Sequence, residues 1–232
     1  MSLPPAATAP NSAPPSGWWF RRRSLPCPTW RTALCTGLTA LALALLAGRA
    51  LHPWLALSDP APEARYLAVE GWVPDHVLRE AVTWADQYPT TRVFCTGIPL
   101  EQGSYLQQWK TFAEVAANTL ARLGLEPPLI CPVPCEDAKT ERTRAMATAL
   151  KAVLDREPIP DSGRQINLLT LGTHARRSRA IFQEVLGPQW RVGILSVPPV
   201  SYDPAQWYRQ SEGAKSVIAE VCALALRAVG GN

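Results

Sequence analysis

The chain has 232 residues and a formal net charge of +4. That length fits one domain plus appendages, and the N-terminal segment supplies much of the excess charge. The remainder is close to balanced and carries no nucleic-acid-binding motif, which excludes nucleic acid as a general partner.

Residues 1–29 are rich in Pro, Ala and Ser, with Trp18, Trp19 and Arg21-Arg22-Arg23 among them. Such a composition cannot bury a core and is expected to be a disordered tail. From Thr32 to Gly48 there is no charge. At 1.5 Å per residue this stretch spans roughly 26 Å as a helix, just short of a bilayer's hydrocarbon core. Arg31 and Arg49 bracket it in position to snorkel, and Trp30 and Trp54 stand where an aromatic belt would. The lipid bilayer is therefore the expected partner of residues 32–48, within an anchor and flank covering 30–57. Arg21, Arg22, Arg23 and Arg31 precede the segment, which puts the tail in the cytoplasm and the domain outside it. A cleaved signal peptide is the rival, but the apolar run is long and Arg49 interrupts the small-residue cleavage site.

Residues 58–232 alternate between strands and helices. Strands are expected at Tyr66–Val69, Arg92–Cys95, Leu129–Cys131, Ile166–Leu171 and Arg191–Val197. Helices are expected at about 75–86, 105–123, 140–155, after Thr173, and at 206–229. The last carries Val217, Ile218, Val221, Cys222 and Ala225 as its apolar face. Short apolar strands separated by helices mean βαβ units, hence an α/β fold with a mostly parallel sheet of about five strands in three layers. Cys131-Pro-Val-Pro-Cys135 is not a bridge: an extended Pro-rich backbone holds the two Cα atoms roughly 13 Å apart, beyond disulfide reach. No second pair with zinc-like spacing exists, so no metal site is expected.

In such sheets, ligands bind beyond the C-terminal ends of the strands. Reading just past each strand gives Glu70, then Thr96 and Gly97, then Asp137, Thr140 and Thr143, then His174, Arg176 and Arg177. The histidine and arginines open a helix, whose unpaired N–H groups and partial positive charge suit an anion. Glu70 and His174 are the candidate acid/base pair, and Thr96, Gly97, Asp137, Thr140, Thr143, Arg176 and Arg177 the candidate ligand contacts. A salt bridge from Glu70 to Arg79 or Arg176 is the competing role for that acid, and simple N-capping the competing role for the threonines. The chain has no G-x-S-x-G elbow, no G-x-x-x-x-G-K-[ST] loop and no G-x-G-x-x-G after the first strand. An ordinary serine hydrolase, NTPase or NAD enzyme is thereby disfavoured.

Val69-Glu-Gly-Trp-Val-Pro74, Phe94-Cys-Thr-Gly97, Asp137-Ala-Lys-Thr140 with Thr143, and Leu169-Thr-Leu-Gly-Thr-His-Ala-Arg-Arg-Ser-Arg179 together resemble the YdcF-like (SanA/ElyC-like) family. The resemblance covers roughly residues 65–227. It implies a Rossmann-like three-layer fold, an N-terminal transmembrane helix and a role in cell-envelope processes, either peptidoglycan or lipid-linked glycan biogenesis. The family's common glycine-rich turn after the first strand here reads Glu70-Gly71-Trp72. The resemblance therefore fixes no cofactor for this chain. The expected ligand is an anionic small molecule or glycan precursor, and the expected location is the inner membrane, single-pass, with the domain on the extracytoplasmic side. Two alternatives remain: a cytoplasm-facing enzyme using S-adenosylmethionine or a nucleotide, and a non-catalytic scaffold of a membrane complex.

Overall fold

A computed structural model describes residues 29–88, 90, 92–101, 105 and 108–230. Of the expected tail of residues 1–29, all but Thr29 lies outside them. By length and composition, helix α1 (Trp30–Leu55) is the one helix among the described residues that is apolar enough to cross a membrane. The chain divides into two compact units, 1–44 and 45–232, the second taking in the last turns of α1.

Within the larger unit, five strands form one parallel sheet: β1 (Tyr66–Glu70), β2 (Arg92–Gly97), β3 (Ile130–Pro134), β4 (Gln165–Leu171) and β5 (Arg191–Val197). Their spatial order is β3-β2-β1-β4-β5, which makes the fold Rossmann-like. The order reverses between β1 and β4, and there the connecting chains leave in opposite directions to open a crevice.

Side chains alternate across the sheet, as period-2 geometry requires. Leu67, Val69, Val93 and Cys95 meet α2 (Asp75–Gln87) and α3 (Phe112–Arg122) on one face. Ala68, Phe94, Ile166 and Leu168 meet α4 (Arg142–Leu154) and α5 (Ala175–Leu186) on the other. Both faces are covered, which is why the strands read as apolar runs. Ahead of β1, Asp59 pairs with Ile194 of β5, and Asn167 clamps Ala61 through both its side-chain oxygen (2.8 Å) and nitrogen (3.1 Å).

Several helix limits differ from the sequence reading, each for a local reason. Helix α3 begins at Phe112 rather than near Tyr105. Thr111 caps it, accepting from the Glu114 N–H (3.2 Å) while the Glu114 carboxylate accepts from the Thr111 N–H (2.9 Å). Helix α4 begins at Arg142, after Glu141 turns through a left-handed conformation (φ 55°). A 3-10 turn over Gly172–His174 leads into α5. The expected final helix divides into a 3-10 stretch, Pro204–Arg209, and α6 (Ser211–Gly230). Strand β3 runs through Cys131-Pro-Val-Pro, so the two cysteines stand along an extended backbone. Cys35, Cys95, Cys131, Cys135 and Cys222 are all free thiols, with Cys95 buried and Cys222 exposed.

The apolar face expected on α6 is buried only in part, at Val217 and half-buried Val221. Gly213, Val217 and Glu220 turn inward, while Ile218 (58 % exposed) and Leu226 (73 %) face outward.

Candidate functional site

Glu70 ends β1, beside the point where the strand order reverses. It is completely buried. A carboxylate in that position needs donors, and two neighbours provide them. Thr170 of β4 donates to its Oε2, and Ser178 of α5 donates to its Oε1 at 3.0 Å. Glu70 reaches neither Arg79 nor Arg176.

Above Glu70 stands His174, at the end of the 3-10 turn that follows β4. Its Nε2 lies 3.9 Å from the nearer Glu70 oxygen. Its Nδ1 donates to Glu220 of α6 at 2.6 Å. The same carboxylate takes a fork from Arg177, Nε to Oε2 at 2.7 Å and Nη2 to Oε1 at 3.0 Å. Arg177 Nη2 is also 3.0 and 3.3 Å from the two ring nitrogens of His174. Because Nδ1 is committed as a donor to Glu220, the guanidinium rests against the ring rather than bonding to Nδ1.

The charges follow from these contacts. Burial works against the Glu220 carboxylate, but the bonds and charges of His174 and Arg177 outweigh it and hold the carboxyl at about 2. Burial also works against the Arg177 charge, and Glu220, with Glu70 behind it, reverses that and raises its pKa. With Glu220 holding a hydrogen on Nδ1, Nε2 is the ring nitrogen left to accept, and Arg177 Nη2 lies 3.3 Å from it. That is the arrangement by which a carboxylate orients a histidine for acid–base work.

His174 and Trp72 form a shared wall between two cavities. Their rings meet edge-on, 5.1 Å apart. One cavity, of about 470 Å³, is bounded by Gly97, Ile98, Phe112, Met146 and Thr143, with Lys139, Arg142 and Arg177 supplying cations and Glu101 and Glu141 acids. The other, about 260 Å³, lies against Thr173, Tyr202, Ser216 and Glu220. Gly97 has no room for a side chain: a Cβ there would lie 2.4 Å from the Ala113 nitrogen. Among the described residues, no three His, Cys, Asp or Glu side chains gather as metal ligands.

No family model, curated protein or solved structure matches the chain.

Of the residues singled out in the sequence, Glu70, Gly97, Thr143, His174 and Arg177 come together here. The other four stand elsewhere. Thr96 is buried and donates its hydroxyl to the Val69 carbonyl (3.2 Å), so it ties β2 to β1. Thr140 borders a separate groove with Cys135 and Ala149, and Asp137 borders neither cavity. Arg176 turns away, donating to the Trp54 carbonyl (2.6 Å) with its guanidinium 4.2 Å from that indole's centre. It joins α5 to the last turn of α1. Sequence reading missed Glu220, Ser178, Lys139 and Arg142. For Glu220 a signal existed: the acid falls in step with Gly213 and Val217, on one helical face.

Proposed function

We propose that this is a single-pass, membrane-anchored protein of the YdcF-like kind, acting on the extracytoplasmic side in cell-envelope biogenesis. Its larger cavity binds an anionic small molecule or glycan precursor, and His174 exchanges a proton with that ligand. The observation that carries the reading is the Glu220–His174 pair at the wall of a 470 Å³ cavity, with Nε2 pointing away from Glu220 and next to Arg177. Glu70 lies beneath that nitrogen and steadies a positive charge on the ring when it takes a proton. Arg177 supports Glu220 first and faces the ligand second.

Two measurements test this. An alkaline phosphatase fusion at Asn232 should be active, and a cytoplasm-dependent reporter at the same position silent; the reverse pattern ends the extracytoplasmic reading. In cells that depend on this protein, His174→Gln should abolish function at unchanged protein level. Full function of that variant would instead support a scaffold. The β3-β2-β1-β4-β5 order favours one rival, a cytoplasm-facing enzyme using S-adenosylmethionine or a nucleotide, because such sheets seat nucleotides at the reversal point. The fusion pair separates the two.

A further inference from the structure

Helix α4 starts without a cap. Its N-cap residue, Glu141, makes no side-chain bond to the first turn, and the Arg142 and Thr143 N–H groups have no backbone acceptor. Such an end carries a partial positive charge and free donors. A helix start alone says little, but the Thr143 side chain adds a separate observation. Thr143 is only 4 % exposed, and its hydroxyl bonds to no other described residue. What exposure it has opens onto the larger cavity. A hydroxyl on a side chain held this tightly, with no protein partner, is a donor for whatever fills the cavity. Lys139 borders the same cavity with no ion pair among the described residues, whereas Arg142 is taken by Glu101 and Glu141 by Arg144.

We propose that this corner of the cavity seats a terminal phosphoryl group, as a phosphate monoester or diphosphate. The inference rests on the reading that the cavity takes an anion, and it moves the anion from the start of α5 to the start of α4. One unpaired ammonium and the roughly half positive charge of a helix start together match a group carrying more than the single charge of a carboxylate. A phosphoryl group offers three strong acceptor oxygens and up to two negative charges. Glu101 and Glu141 disfavour an anion by charge, but each is neutralised by an arginine. The rest of the ligand lies along Ile98, Phe112 and Met146, toward Trp72 and His174.

The test uses the full chain in detergent micelles, titrated with inorganic phosphate and with acetate. Phosphate should bind saturably and about tenfold more tightly than acetate, shifting the Arg142 and Thr143 amide resonances. Thr143→Val, which keeps the shape, and Lys139→Ala, which is exposed, should each weaken phosphate binding about tenfold, as loss of a bond to a charged group does. Neither should change the melting temperature without phosphate. Octyl phosphate and glucose 1-phosphate then identify the carrier: one of them should bind more tightly than inorganic phosphate, alkyl for a lipid-linked source and sugar for a soluble one. Absence of saturable phosphate binding overturns the proposal, as do two variants that bind like wild type or two carriers that add nothing. Should phosphate fail while His174→Gln still inactivates the protein in cells, the phosphoryl site falls and the cavity's role stands.

Discussion

Glu220 accepts from both His174 and Arg177, and its stability contribution should be visible as pH dependence. The folded carboxyl sits at about 2, below the ordinary value of 4.5. Unfolding therefore takes up a proton as pH falls between those values. The contribution is complete above pH 4.5 and lost as pH falls toward 2, on the order of 3 kcal/mol. Thermal melts from pH 2 to 6 should show this slope, and Glu220→Gln should flatten it. At neutral pH the same variant leaves the half-buried Arg177 facing an amide and should cost about 3 kcal/mol. An equal slope in both proteins would assign the acid sensitivity elsewhere. At Glu70, replacement by Ala strands the Thr170 and Ser178 hydroxyls in a closed space. A loss of about 3 kcal/mol in urea titrations is expected, with Glu70→Gln losing less because its carbonyl still accepts one bond.

At the level of elements, the start of α4 holds backbone strain. Glu141 is the one residue other than glycine with positive φ among the described residues. An L side chain in the left-handed region costs about 1 kcal/mol, so Glu141→Gly should stabilise the protein by roughly that amount. The exposed pair with Arg144 offsets little of it. A rise in the urea midpoint is the expected result, and a fall would mean the carboxylate matters more than the backbone. The elements also show what the sequence disclosed. The inner strands were legible because both sides of β1, β2 and β4 are covered, so their apolar runs match core positions from Leu67 to Leu169. The gathering of Glu70, Gly97, Thr143 and His174 followed from one rule, that loops after parallel strands share an edge. The face of α6 was legible only in part. Its outward side is as apolar as many inward ones, and its inward side carries an acid that only tertiary partners justify. Arg176 failed for a similar reason: position at a helix start does not say which way a long side chain turns.

For the molecule as a whole, the larger unit depends on residues that precede its first strand. Leu55 at the end of α1 is fully buried, and nearby His52 reaches the Tyr202 hydroxyl at 3.1 Å. Leu55→Ala should cost about 3 kcal/mol, as a fully buried leucine does. A chain beginning at residue 58 should melt below one beginning at residue 45, and equal melting temperatures would show that these turns add nothing to the unit.

The thiols provide a last consequence. Burial, with a smaller effect of the Cys131 charge, pushes Cys95 up to about 12, and burial raises Cys131 and Cys135 as well. Thiols kept protonated react slowly with electrophiles. Cys222 on α6 is exposed. With Cys27 and Cys35 replaced by serine, a membrane-impermeant maleimide carrying a polymer tag meets one open target. A single gel shift on intact cells, compared with lysed ones, then reports which side of the membrane the α/β unit faces. Cys222 is thus a native topology probe, free of the folding burden that a fused reporter adds.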